Sequence, residues 1–281
     1  MPPTHPHPEG EILPPAPAEA YSPEQARRRR TFSDWDPRSA PATYLLVAIN
    51  CAVYLWMIAH GVDPRDPSPE ALLHYGANQT QLVLHGEWYR LLTATFVHVG
   101  LIHLATNMWC LWNLGMLGEP LVGPSGMVAV YMLTGIAGNL LSMASNVVLY
   151  NWSHELFMLQ IPGAGASGAV FGIAGILIVL LSNRRLPFPW SDLQQLRRRV
   201  IQFAAINLVI GLGTALPFIN FGIHIDNMAH IGGFLSGLAL GVPLVPRMTA
   251  GRERYLSRQK ITFAAACFVL ALFGFGIAHM F

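Results

Sequence analysis

The stretch Ile161–Gly175, IPGAGASGAVFGIAG, decides how the rest of the chain is read. Gly163, Gly165 and Gly168 fit the G-x-G-x-x-G spacing of a dinucleotide-binding loop. Gly165-Ala166-Ser167-Gly168 matches most of a hydrolase nucleophile turn, and the whole stretch also suits a tightly packed membrane helix. The dinucleotide fingerprint needs a strand before it and an acidic residue about 20 positions later. Here an apolar helix follows, and the next acidic residue is Asp192 in a basic loop. The soluble elbow G-x-S-x-G also fails, because Ala169 stands at its last glycine. What survives is a helix that opens on small residues and carries one serine.

Composition places that helix in a membrane. Of 281 residues, 53% are hydrophobic and 11% charged, and mean hydropathy is +0.41. Soluble domains carry about 25% charged residues. A net charge of +2 does not suggest a nucleic-acid partner. Cys51, Cys110 and Cys267 lie in apolar runs without metal or disulfide spacing, so neither metal nor cofactor is expected. Residues 1–41, rich in Pro, Glu and Ala, have too little apolar surface to offset ordering entropy and read as a disordered tail. No signal-peptide core precedes the first apolar run.

A membrane helix needs about 20 mostly apolar residues. Seven uncharged runs qualify, near 43–60, 101–118, 124–150, 165–182, 200–221, 227–246 and 261–280. The expected fold is therefore all-α and polytopic, with a core over 42–246 and a basic loop plus seventh span over 247–281. Basic residues set the orientation. With the N-terminus cytoplasmic, Arg27–Arg30, Arg38, the 184–199 loop and the 247–260 loop hold all but Arg65 and Arg90 of the 17 basic residues. The C-terminus then lies outside. Lys260 is the single lysine, an arginine bias that points to a GC-rich genome and a bacterial cytoplasmic membrane.

In this topology spans two, four and six all begin at the outer face. Their first turns carry His103 and Asn107, Ser167, and His230 respectively. Polar groups inside spans are costly and often functional. Serine needs a base to become a nucleophile, and histidine is the usual one. Asn107, His103 and the Ser167 backbone N–H could hold the resulting oxyanion. Gly233 and Gly237, a turn apart, allow close approach of spans four and six. Taken singly, each residue has a plainer reading: a back-bonded serine, packing glycines, a buried histidine. Asp226 reads as the N-cap of span six rather than a third catalytic member, and Glu119–Ser125 carries no site signal. A zinc protease is excluded because Met158 stands where H-E-x-x-H needs its second histidine.

EWYRLLTATFVHVGLIHLATN, GAGASGAVFG and AHIGGFLSG together resemble the rhomboid intramembrane serine proteases, over about Thr43 to Pro246. The resemblance implies a six-helix core with one extra C-terminal helix. It implies a Ser167–His230 dyad, with His103 and Asn107 at the oxyanion and Gly165, Gly168, Gly233 and Gly237 in support. It puts Glu87 and Arg90 in a structural, partly embedded first loop over 61–100. His98 falls at a common histidine position, and Phe171 where an aromatic packs on the histidine. The implied partners are single-span membrane proteins within the lipid bilayer. Phe218–Asp226 is expected to form part of a lid over the site. The competing reading is an inactive rhomboid-like scaffold that binds transmembrane helices.

Overall fold

The computed structural model describes residues 39–184, 186, 188–214, 225–245 and 251–280. The expected tail lies almost wholly outside these residues, as does most of the expected lid, Phe218–Asp226. Helix α1, Pro41–Ala59, starts with proline at its first position but has no side-chain cap of its own. Its free first-turn donors are satisfied from another helix. Glu119 accepts from the Ala42 N–H (2.9 Å), the Thr43 N–H (2.7 Å) and the Thr43 hydroxyl (2.7 Å). A carboxylate suits the positive end of a helix dipole, and at 1% exposure it is buried there. Glu119 is thus a structural cap, something the sequence around it does not signal.

The first loop is folded rather than open. It contains α2 (Pro69–His74), β1 (Asn78–Gln79), α3 (Thr80–Leu84) and α4 (Arg90–Thr93). Arg90 organises it. Its Nε and Nη2 meet Glu87 Oε2 at 2.7 Å, and Nη1 donates to the carbonyls of Leu73 (2.7 Å) and Ala77 (3.0 Å). The Tyr89 hydroxyl and then Arg90 hold the Glu87 carboxyl below its usual range.

Helix α5, Leu101–Val122, turns sharply into α6, Pro124–Ser153, at Gly123, whose φ of +79° suits glycine. Beyond α6 come the short α7 (Phe157–Gln160) and β2 (Pro162–Gly163). β2 pairs antiparallel with β1, Asn78 opposite Gly163 and Gln79 opposite Pro162. This two-residue ladder is the small β exception in an all-α fold. Helix α8, Ser167–Leu180, follows, then α9 (Trp190–Thr214), α10 (Asn227–Leu244) and α11 (Arg252–Ala278).

Each of the seven expected spans thus corresponds to one helix of 14 residues or more, with residues 215–221 of the fifth outside the described residues. By length and composition alone, α1, α6 and α11 are apolar enough to cross a membrane. Polar residues and glycines hold the hydropathy of α5, α9 and α10 down. Two loop assignments need correction. Arg197–Arg199 lie within α9, and Arg252, Arg254, Arg258 and Lys260 within α11. Arginine, lysine and glutamine are good helix formers, so these helices continue past their apolar segments.

Helix α8 is apolar on every side and buried accordingly. It is held by backbone contact. A Cβ on Gly233 would strike the Gly168 carbonyl, and one on Gly237 the Gly172 carbonyl. On α6, a Cβ at Gly138 would lie 2.6 Å from the Ala229 carbonyl. Helices α6, α8 and α10 therefore meet main chain to main chain, the geometry that small-residue stripes permit.

Candidate active site

Ser167 is the first residue of α8, half-buried, and the two amides before it are already engaged. The Gly165 N–H donates to the Ala94 carbonyl at 2.9 Å, and the Ala166 N–H to His98 Nε2 at 3.4 Å. The helical ladder begins with the Val170 N–H on the Ala166 carbonyl, 2.9 Å. The amides of Ser167, Gly168 and Ala169 precede it, at the end of the helix where donors are left over.

The segment that holds Gly165 and Ala166 is itself fixed. The Tyr131 hydroxyl, on α6, donates to the Thr95 carbonyl at 2.9 Å, and Asn139 Nδ2 to the Leu91 carbonyl at 2.8 Å. His98 is fully buried. Its Nε2 accepts from Ala166, so the proton is assigned to Nδ1, which faces the Phe96 carbonyl at 3.3 Å. The anchoring of the serine loop by His98 is a function that no pattern in the sequence announces.

His103 comes from the first turn of α5. Gly165 has φ +136°, and a Cβ there would lie 2.6 Å from His103 Cε1. Only glycine allows both the backbone angle and the close imidazole. The Val99 N–H donates to His103 Nδ1 at 3.4 Å, which assigns the proton to Nε2, on the side of the serine loop. Asn107, one turn on, gives one amide N–H to the His103 carbonyl (2.9 Å) and keeps a second.

His230 stands in the first turn of α10, 6% exposed. Phe171, one turn after Ser167, stacks on its ring with centroids 4.3 Å apart and an interplanar angle of 15°. His230 Nδ1 has no hydrogen-bond partner among the described residues. Nor does a hydrogen bond join Ser167 to His230; their helices touch at the residues beside them. A Cβ on Gly168, next to Ser167, would sit 3.3 Å from the carbonyl of Ala229, next to His230.

Asp226 caps α10, accepting from the Ala229 N–H at 2.9 Å. No cluster of three or more metal-ligating side chains occurs among the described residues.

Comparison with known proteins places this helical bundle in a class. Residues 85–247 match the Rhomboid domain model. The chain is 31% identical over 249 residues to Rhomboid protease GluP of Bacillus subtilis (strain 168), covering 88% of this chain and 43% of that protein. It is 32% identical over 215 residues to Rhomboid protease AarA of Providencia stuartii, 72% of each. It is 30% identical over 197 residues to Rhomboid-like protease 2 of Toxoplasma gondii, 69% of this chain and 62% of that one. The chain belongs to the rhomboid family, as an all-α integral membrane protein.

Proposed function

We propose that this chain is an intramembrane serine endopeptidase that cleaves peptide bonds in or near the transmembrane helix of single-span proteins. The observation that carries this reading is His230 stacked on Phe171, one turn from Ser167 at the start of α8. His230 takes the Ser167 proton as Oγ attacks the scissile carbonyl. It then returns that proton to the departing amine. The oxyanion forms against the Ser167 N–H, His103 Nε2–H and the second N–H of Asn107, donors fixed before the reaction begins. Water then hydrolyses the acyl-enzyme by the same route. A scissile bond within a helix is shielded by its own hydrogen bonds, so substrates with helix-breaking residues near the cut are favoured. The distribution of basic residues supports an N-terminus inside and a C-terminus outside, and the arginine bias beside a single lysine supports a bacterial cytoplasmic membrane.

The test uses purified protein in lipid vesicles with a single-span substrate and a fluorophosphonate label for Ser167. Wild type is expected to cleave and to take label, and Ser167→Ala to do neither. His230→Ala is expected to stay folded and to lose turnover; activity within a few-fold of wild type would refute the dyad. A folded wild-type protein that neither cleaves nor labels would favour the helix-binding scaffold instead.

A further inference from the structure

Among the described residues no carboxylate meets the His230 imidazole, and beyond the Phe171 stack the ring's position depends on the placement of α10. Asp226, four residues earlier, is the nearest acidic residue in sequence, but both of its oxygens are engaged elsewhere. Oδ1 accepts from the Ala229 N–H at 2.9 Å, and Oδ2 accepts from the Ser142 hydroxyl at 2.5 Å. Ser142 lies on α6 and is 6% exposed. One turn earlier on α6, Gly138 lies against the Ala229 carbonyl. The first turn of α10 thus touches α6 at two points a turn apart. One is a backbone contact that sets how close the helices come. The other is a hydrogen bond that sets how α10 is rotated and how far it slides. His230 follows directly, its N–H on the Asp226 carbonyl at 3.2 Å.

We propose that the Ser142–Asp226 bond sets the position of His230, which makes Asp226 and Ser142 positioning residues rather than members of a catalytic triad. This rests on the Ser167–His230 reading above. Asp226 ties the histidine's helix to α6, which through Tyr131 and Asn139 also holds the first-loop segment whose Ala94 carbonyl and His98 ring anchor the serine loop. Base and nucleophile are thereby referenced to one element. A small misplacement of a catalytic group costs up to about 10²-fold in rate.

The conservative variant distinguishes this role from that of a triad acid. In Asp226→Asn the amide oxygen still accepts from Ala229, and the amide N–H can donate to the Ser142 oxygen. A triad acid replaced by asparagine costs about 10⁴-fold in kcat in serine proteases. The experiment measures kcat, KM, the rate of fluorophosphonate labelling of Ser167 and thermal unfolding in vesicles. The variants are Asp226→Asn, Asp226→Ala, Ser142→Ala and the double alanine variant.

Asp226→Asn is expected to keep kcat within about threefold of wild type. Each alanine variant should lose between about tenfold and 10²-fold in kcat with KM nearly unchanged. Ser142→Ala removes only a hydroxyl and covers the case in which Asp226→Ala does not fold. The double variant should be no worse than the poorer single one, because both break the same bond. A loss in Asp226→Asn as deep as in Asp226→Ala would overturn the inference and make the carboxylate a catalytic acid. Alanine variants that match wild type, or that lose activity only in step with their folded fraction, would also overturn it. A folded wild type that neither cleaves nor labels would instead sink the protease reading and take this inference with it.

Discussion

The three donors proposed for the oxyanion are held in place by very different means. The Ser167 N–H is fixed by the start of α8, and His103 by the glycine at 165 that admits its ring. Asn107 is held by its own bond to the His103 carbonyl. Loss of Asn107 leaves the other two donors in place, so Asn107→Ala is expected to lower kcat by no more than about 10²- to 10³-fold. Turnover on a single-span substrate, compared with Ser167→Ala, measures this, and a loss as complete as that of Ser167→Ala would refute the shared role. At this scale the sequence was informative about residue types and about which helices carry them. Histidine, serine and asparagine stand out in apolar spans because burial there is costly. Their partners did not stand out. Ser142 is an ordinary serine in an apolar run, and its link to Asp226 spans 84 positions. Neither spacing nor composition encodes such a bond.

Helices α8 and α10 are joined by their glycines. Gly233 and Gly237 face the carbonyls of Gly168 and Gly172, so a methyl group at either position has no space unless the helices separate. Gly233→Ala is therefore expected to destabilise the protein by about 1–3 kcal/mol, despite alanine's better helix propensity. Thermal unfolding in vesicles measures this, and a variant as stable as wild type would mean the helices are free to move apart. The glycine spacing made this contact legible in the sequence, because small residues a turn apart mark one face. The extent of the helices was less legible. Arginines near the starts of α9 and α11 interrupt the apolar runs and so resemble loop in the sequence, whereas helix propensity carries the helices through them. The structural first loop with Glu87 and Arg90 was legible only through the family resemblance, since the bonds that shape it run from Arg90 to carbonyls 13 and 17 residues away.

For the molecule as a whole, α11 acts as a brace. Near its start, Gln259 donates to the Val122 carbonyl at 2.7 Å, the Tyr255 hydroxyl meets the carbonyls of Leu121 (3.3 Å) and Leu244 (3.2 Å), and Arg258 meets that of Val245 (2.6 Å). These carbonyls end α5 and α10, the helices of His103 and His230, and helix ends need such partners. Near its other end, Ile277 is buried with Leu91 and Leu140, and Gly274 faces Trp88 of the first loop. Gln259→Leu leaves a buried carbonyl unpaired and is expected to cost about 1–3 kcal/mol. Unfolding in vesicles measures it; an unchanged midpoint would show that α11 is a bystander. The sequence identified this helix as an extra span, and its motif-free surface gave no sign of the bracing role.

The length of α8 has a consequence for any substrate. Its 14 residues rise about 21 Å, against about 30 Å of hydrocarbon. With its far end level with one membrane face, its serine stops about 9 Å short of the other, a depth that about six residues of substrate helix traverse. The helix is then a ruler. On the protease reading proposed above, it would count about six residues inward from the point where a client enters the lipid, and so set the cut by depth.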